Sequence, residues 1–388
     1  MTISKEKNKK LNSVLNGINK QFGEGSVKIA GQHIAEMIIR RIKTSSTVFN
    51  VMLHGGVSRA KIVEFYGPNS SGKTSMALEI IKQFQEENPE EICAWFETEA
   101  SWDPEYARDI MGIDLDRLVV IDQTDHSAEE CLDIVRGLVK SGEFRIIVVN
   151  SIAGLSPKVE LENELEKANM GVVARMLSKF FRVIIGSANK NDCTFIFINQ
   201  VRATMDQYRP EATCGGNALS FYATQRVRFS KVKVQSADPI DANDGVKINC
   251  SVAKNRAANG KNPYTNCTYY AIYGEGINNV IDVPDIVGSL GIFSKAGAWF
   301  NLLDETTGDP KVIEGVTCKF NGKNAFIKAL TDNPAFLKAV TEMINNNIDK
   351  VQGSNLSAEE IIAIEKENKE AEKQFANLDK EVATEVEE

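Results

Sequence analysis

The chain has 388 residues, too many for one ordinary domain, with 43% hydrophobic and 25% charged residues and a formal net charge of -8. No apolar run is long enough to span a bilayer, and the opening MTISKEKNKKLN carries charge without an apolar core, which argues against a membrane protein and a signal peptide. Seven cysteines without a C-x-x-C pair, and three histidines in all, exclude a zinc site or disulfide framework as a useful reading, so a reduced, cytoplasmic chain is expected.

In chain order, Leu11, Val14, Leu15, Ile18 and Phe22 recur at helical intervals, which predicts an amphipathic helix over 5–22 stopped by Gly23-Glu24-Gly25. From Lys61 onward apolar runs alternate with helical patterns. The runs are IVEFY (62–66), ICAWF (92–96), LVVI (118–121), IIVV (146–149) and FIFI (195–198). Between them lie helical stretches over 74–87, 127–140 and 171–189. Near-continuous apolar strands joined by helices indicate a parallel sheet covered on both faces. From about Phe221 to Tyr273 the strand-like runs lose their intervening helices and read as antiparallel extensions. After Gly274, shorter helices with glycine turns suggest a smaller C-terminal domain.

Charge is unevenly spread along this chain. Residues 357–388 hold eleven acidic and four basic side chains, a net of -7, which leaves about -1 for everything else. The first forty-three residues hold nine basic and three acidic side chains, a net of +6. A negative total therefore does not exclude nucleic acid as a partner. The acidic tail reads either as an interaction or self-masking segment or as a solvated helix that keeps the protein soluble.

Gly67-Pro68-Asn69-Ser70-Ser71-Gly72-Lys73-Thr74 fits G-x-x-x-x-G-K-[ST], directly after an apolar strand and before a helix. Glycines let backbone N–H groups curl around phosphates, and the helix N-terminus adds its dipole. Lys73 would neutralise the β and γ phosphates of ATP, the Thr74 hydroxyl would bind Mg2+, and Ser75 completes the turn. The second strand ends in Phe96-Glu97-Thr98-Glu99, whose two carboxylates are expected on one face of the strand, where a water near the γ-phosphate could be held. Glu99 is the candidate general base, with helix capping or a surface role as the other reading. Asn150-Ser151 and Asn199-Gln200 end the fourth and fifth strands, at the edge where such sheets bind ligands.

These segments, with ETEASWDPEYAR (97–108), NSIAGLSPK (150–158), MGVVARMLS (170–178), FINQVR (197–202), GGNALSFYA (215–223), VAKNRAA (252–258) and YGEGIN (273–278), resemble the RecA recombinase family in order and spacing. KQFGEGSV (20–27) and KAGAWF (295–300) extend the likeness across roughly residues 10–345. The resemblance implies a RecA-type P-loop NTPase core of α/β class with a mostly parallel central sheet. It adds a short N-terminal helix–strand polymerisation segment (1–33) before the core (34–275), then a small α+β C-terminal domain (276–350) and the acidic tail (351–388). It implies an ATP- and Mg2+-dependent DNA-stimulated ATPase that forms a helical filament on single-stranded DNA and exchanges strands with double-stranded DNA.

Carried over by position, Glu99 falls on the family's catalytic glutamate and Gln200 on its γ-phosphate-sensing glutamine. Asp103 and Tyr106 fall on adenine contacts, and Asn150 on the residue that reaches Mg2+ through water. Lys254 and Arg256 fall on the pair that reaches the γ-phosphate of the adjacent subunit; an exposed basic strand end is their plainer reading. DNA contact falls to two loops. The first runs from about Glu162 to Met170, followed by Gly171, Arg175 and Arg182; the second runs from about Val201 to Cys214, with Arg202 and Met205, and closes on Gly215-Gly216-Asn217. Met170 and Met205 are candidate wedges between base steps, although a helical methionine outside this likeness reads as core.

The departures bear on function. The second loop is about two residues shorter than the family pattern, Ala203-Thr204 replace Met-Lys, and Cys214 replaces a threonine. Ser230 stands where an arginine is common, although Lys231 follows, and Asn150 replaces the Walker B aspartate. Asn150 is expected to raise the Mg2+ requirement without abolishing turnover, with Glu97 offsetting part of the lost charge. These differences look more like a phage-encoded member than a typical cellular one. A hexameric P-loop DNA motor and an ATP-gated DNA-coating protein with little hydrolysis remain the alternative readings.

Overall fold

Each apolar run after Lys61 becomes a strand of one sheet; four of the five are nearly fully buried, whereas the edge run LVVI leaves Val119 and Val120 exposed. The computed structural model describes residues 5–23, 25–30, 39–162, 171–205, 211–236, 238–257, 264–304 and 306–351. Helix α1 (Lys5–Phe22) forms over the span its periodicity predicts. Its last turn is closed by Asn19, which accepts from the Val27 N–H at 3.0 Å and donates to the Val27 carbonyl at 3.2 Å. Val14 and Phe22 on this helix remain exposed.

Strands β1 (Arg41–Ile42) and β2 (Val57–Ser58) form a small antiparallel pair around α2 (Thr47–Met52). The main sheet then takes β3 (Ile62–Gly67), β4 (Ile92–Glu97), β5 (Leu118–Asp122), β6 (Phe144–Asn150), β7 (Thr194–Ala203), β8 (Glu211–Thr213), β9 (Gln225–Val232), β10 (Gly245–Asn255), β11 (Asn266–Ile272) and β12 (Gly276–Ile277). Its order is β12-β11-β10-β9-β3-β7-β6-β4-β5, with β8 paired antiparallel to β7. Pairing is parallel from β9 through β3, β7, β6 and β4 to β5, and antiparallel from β9 out to β12. The central sheet is therefore mostly parallel with an antiparallel wing, as the loss of helices after Phe221 predicts.

Helices α3 (Lys73–Glu87), α4 (Ala128–Ser141) and α6 (Val172–Lys190) cover the sheet, with the short α5 (Lys158–Glu162) and α7 (Ala218–Tyr222) between strands. α4 shows how local sequence sets its ends. Ser127 Oγ accepts from the Glu130 N–H, the Glu130 carboxylate accepts from the Ser127 N–H at 2.9 Å, and Gly142 in the left-handed region stops the helix. Alternation along β4 sends Trp95 into a core with Phe49, Phe65, Phe84 and Phe229, and Phe96 into a second core with Phe181, Phe195 and Phe197.

A third cluster forms around Phe293, Phe320, Phe326 and Phe336 and includes Val51 of α2. It belongs to α8 (Val283–Ser289), β13 (Ser294–Ala296), β14 (Trp299–Asn301), β15 (Val312–Ile313), β16 (Val316–Thr317), β17 (Lys319–Asn321), α9 (Lys323–Asp332) and α10 (Pro334–Val351). Its strands are two or three residues long, too short for period-two alternation to be legible in sequence. Among the described residues no helix is long and apolar enough to cross a membrane.

Candidate functional site

The loop between β3 and α3 is shaped for close approach by an anion. Gly67 has φ 154° and an added Cβ would lie 2.1 Å from the Phe229 carbonyl oxygen; Gly72 has φ 87° and its Cβ would strike Ile248. Both positions therefore require glycine. α3 begins at Lys73 without a side-chain cap, so its first N–H groups face the loop. Lys73 is buried, and its Nζ donates to the loop's own carbonyls, Pro68 at 2.6 Å and Gly67 at 3.1 Å, with Ser71 Oγ at 3.3 Å. Asn69 and Ser70 are exposed at the tip, and Thr74 is exposed at the first turn of the helix. A desolvated ammonium parked on backbone carbonyls, beneath uncapped N–H groups, fits a triphosphate. Thr74 and Asn150 each carry a neutral oxygen of the kind that a hard divalent cation such as Mg2+ takes.

Burial pushes the Lys73 ammonium down to about 8, and the Glu99 carboxylate counters part of that. The free site thus loses its cation as pH rises through that value, whereas a bound triphosphate keeps the proton on. Nucleotide affinity should fall above about pH 8, with binding there taking up a proton. Calorimetry in two buffers of different ionisation enthalpy checks this, and binding without proton uptake would place Lys73 away from the phosphates.

Beside the loop, Asp103 Oδ1 accepts the N–H groups of Glu105 and Tyr106, both at 3.0 Å, which fixes the wide helical turn Tyr106–Ile110. The Tyr106 and Ser75 hydroxyls lie 3.3 Å apart, so the ring stands next to the start of α3, where a base could stack.

The carboxylates at the end of β4 differ from the expected arrangement. The strand stops at Glu97, so Glu97 and Glu99 do not share a face. Glu97 is buried, whereas Glu99 is exposed beyond the strand and accepts from Gln200 Nε2 at 2.9 Å and from the Ser151 hydroxyl. The bend after β4 breaks the alternation on which that expectation rested. Glu97 Oε2 instead accepts from Trp95 Nε1 at 2.9 Å and Asn150 Nδ2 at 3.0 Å.

Gln200 is near the end of β7, and its neighbour Asn199 donates to the Cys214 carbonyl at 3.1 Å and to buried Glu64 at 2.9 Å. The predicted second loop is shorter than supposed, because β7 continues to Ala203 and pairs with β8, where Glu211 meets Arg228 at 2.9 Å. Arg202 and Met205 are exposed on this hairpin, and residues 206–210 lie outside the described residues. Gly215 packs its backbone on Ile152 and Leu177, Gly216 packs on Ala174, and Asn217 is exposed just before α7. Gly171 precedes α6, from which Arg175 and Arg182 project, both exposed and off the buried stripe. Met170 and most of the first loop lie outside the described residues, as do the acidic tail and residues 31–33 of the N-terminal segment. Ser230, in place of an arginine, donates to the Asn249 carbonyl at 3.3 Å, and Lys231 beside it is exposed.

Lys254 and Arg256 lie at the end of β10. Lys254 Nζ caps α7 through the carbonyls of Ser220 at 2.6 Å and Phe221 at 2.9 Å. Desolvation, then the nearby Arg256 and Arg226 charges, push its ammonium down. Sequence reasoning missed the pair beneath them. Glu64, fully buried on β3, bonds Arg226 Nε, and the Arg226 guanidinium stacks 4.8 Å over Tyr66. A glutamate inside the apolar run IVEFY was the available signal. Arg226→Ala would leave Glu64 with Asn199 alone and should destabilise the fold by about 3 kcal/mol. A denaturant titration measures it, and Glu64→Gln with Arg226→Met should recover most of the loss.

The RecA N-terminal domain family matches residues 9–278. Among curated proteins, Protein RecA of Acinetobacter baylyi is 36% identical over 346 residues, covering 88% of this chain and 92% of the relative. Protein RecA of Arthrospira platensis is 34% identical over 366 residues, covering 94% and 93%. Protein RecA of Rhodopseudomonas palustris is 35% identical over 362 residues, covering 92% and 95%.

Proposed function

This chain belongs to the RecA family, and from that premise we propose an ATP-dependent DNA recombinase. It assembles as a helical filament on single-stranded DNA, pairs that strand with a homologous duplex and exchanges strands, in the cytoplasm. The observation that carries this reading is the 2.9 Å contact between Gln200 and Glu99. It joins the candidate base to the strand that runs directly into the second loop, so ordering of that loop on DNA reaches the hydrolytic carboxylate through one hydrogen bond.

The chain's residues then divide the work. The backbone from Gly67 to Thr74 and the Lys73 ammonium bind the phosphates, and Tyr106 with Asp103 holds the base. Glu99 orients water and takes its proton, and Gln200 reports the γ-phosphate to the loop. Thr74 and Asn150 would hold Mg2+, which would neutralise charge on the phosphates. Lys254 and Arg256 serve the nucleotide of the neighbouring subunit, which ties hydrolysis to assembly. Arg175, Arg182, Arg202 and Gly215 to Asn217 face DNA, the arginines through phosphates.

A strand-exchange assay between circular single strands and homologous linear duplex, with ATP and Mg2+, tests this reading. Joint molecules and nicked circles are expected, with continuous filaments by electron microscopy. Rings with unwinding would favour a hexameric motor, and coated DNA without turnover a gated coating protein.

A further inference from the structure

Four residues, Trp95, Asn150, Glu99 and Ser101, direct five donors at the Glu97 carboxylate. Oε2 receives Trp95 Nε1–H at 2.9 Å and the Asn150 amide at 3.0 Å; Oε1 receives the Glu99 backbone N–H at 2.8 Å and the Ser101 hydroxyl at 3.3 Å. Both Glu97 and Asn150 are buried, at 3% and 2% exposure, and they are register partners across β4 and β6. A carboxylate that only accepts dictates which end of an asparagine amide faces it, and that end is the nitrogen. β4 flanks β6 on the side away from β7, β3 and the phosphate loop, so an amide that gives its nitrogen to β4 keeps its oxygen for the other side.

We propose that Glu97 is a positioning residue: its buried carboxylate fixes the Asn150 amide so that the oxygen, not the nitrogen, serves the phosphate and Mg2+ side. It also supplies, one strand away, the negative charge that Asn150 lacks. Glu97 and Asn150 work as one unit, and the same carboxylate holds the backbone from which Glu99 emerges. This rests on the nucleotide reading of the phosphate loop.

The unit makes each member depend on the other. Asn150→Asp, taken in isolation, restores a charge and lowers the Mg2+ requirement. With Glu97 in place it instead sets two buried carboxylates at hydrogen-bond distance, where they repel and neither holds its position. Glu97→Gln brings an NH2 into a ring of donors. Asn150 relieves that clash by turning over, which puts its own NH2 on the Mg2+ side.

The test uses the full chain and three variants: Glu97→Gln, Asn150→Asp and the exchange Glu97→Gln/Asn150→Asp. The first readout is the Mg2+ midpoint for binding a fluorescent ATP analogue, which needs no turnover. The second is the Trp95 indole N–H resonance, assigned with Trp95→Phe. Glu97→Gln should raise the midpoint about fivefold, the scale of one ordinary hydrogen bond, and shift the indole resonance. Asn150→Asp alone should not lower the midpoint. The exchange should recover part of that rise, because a donor again faces an acceptor between β4 and β6, while the Trp95 N–H that shared Oε2 loses its acceptor. If Glu97→Gln folds poorly, the exchange variant and Asn150→Asp still carry the comparison. A lowered midpoint for Asn150→Asp alone, an exchange variant equal to the sum of its singles, or an unmoved Trp95 resonance overturns the proposal. No analogue binding by the parent would instead sink the nucleotide reading itself.

Discussion

Glu99→Gln should cut DNA-stimulated ATP turnover by about 10² to 10⁴ while nucleotide affinity changes little. Glu99 is exposed beyond β4, and one of its oxygens already accepts from Gln200 and from Ser151. A glutamine there keeps that acceptor and the same length, so both contacts survive. What it loses is the capacity to take a proton from water. The substitution therefore separates chemistry from geometry, which Glu99→Ala would not. Steady-state hydrolysis with and without single-stranded DNA, beside analogue binding, measures both parts. Turnover within about threefold of the parent would mean that another group activates the water.

Deleting residues 1–30 should abolish filaments and leave a folded monomer. α1 carries an apolar stripe, yet Val14 is 59% exposed and Phe22 69%, and its last turn is closed by Asn19 and Val27. An amphipathic helix of eighteen residues is marginal by itself in water and gains stability from a surface that covers its apolar face. Phe221, 68% exposed on α7, offers a matching apolar contact on a neighbouring copy. Among the described residues the three core clusters are built from Ile42 onward, so the core is expected to keep its packing. Sedimentation and electron microscopy with single-stranded DNA decide it, and filaments of normal length from the truncated chain would falsify the assignment.

Much of this could be read without coordinates because it is local. The phosphate loop is a contiguous spacing of glycines, lysine and threonine, and its strand and helix flank it directly. α1 follows from a 3.6-residue period, α4 from the helical pattern over 127–140, and β3 to β7 from their apolar runs. Glu99, Gln200, Lys254 and Arg256 were singled out by family spacing; Glu99 follows β4, Gln200 lies within β7, and Lys254 and Arg256 lie at the end of β10.

Partners distant in sequence were not legible. Glu64 meets Arg226 across 162 positions, and Asn150 meets Glu97 across 53, because β9 and β6 happen to lie beside β3 and β4 in the sheet order. Alternation placed Glu97 and Glu99 together on paper, yet a backbone bend after β4 turned one inward and left the other in solvent. Period and spacing constrain what each residue's near neighbours must be. Which donors surround a buried carboxylate depends on strand register, and register is set by the whole core at once.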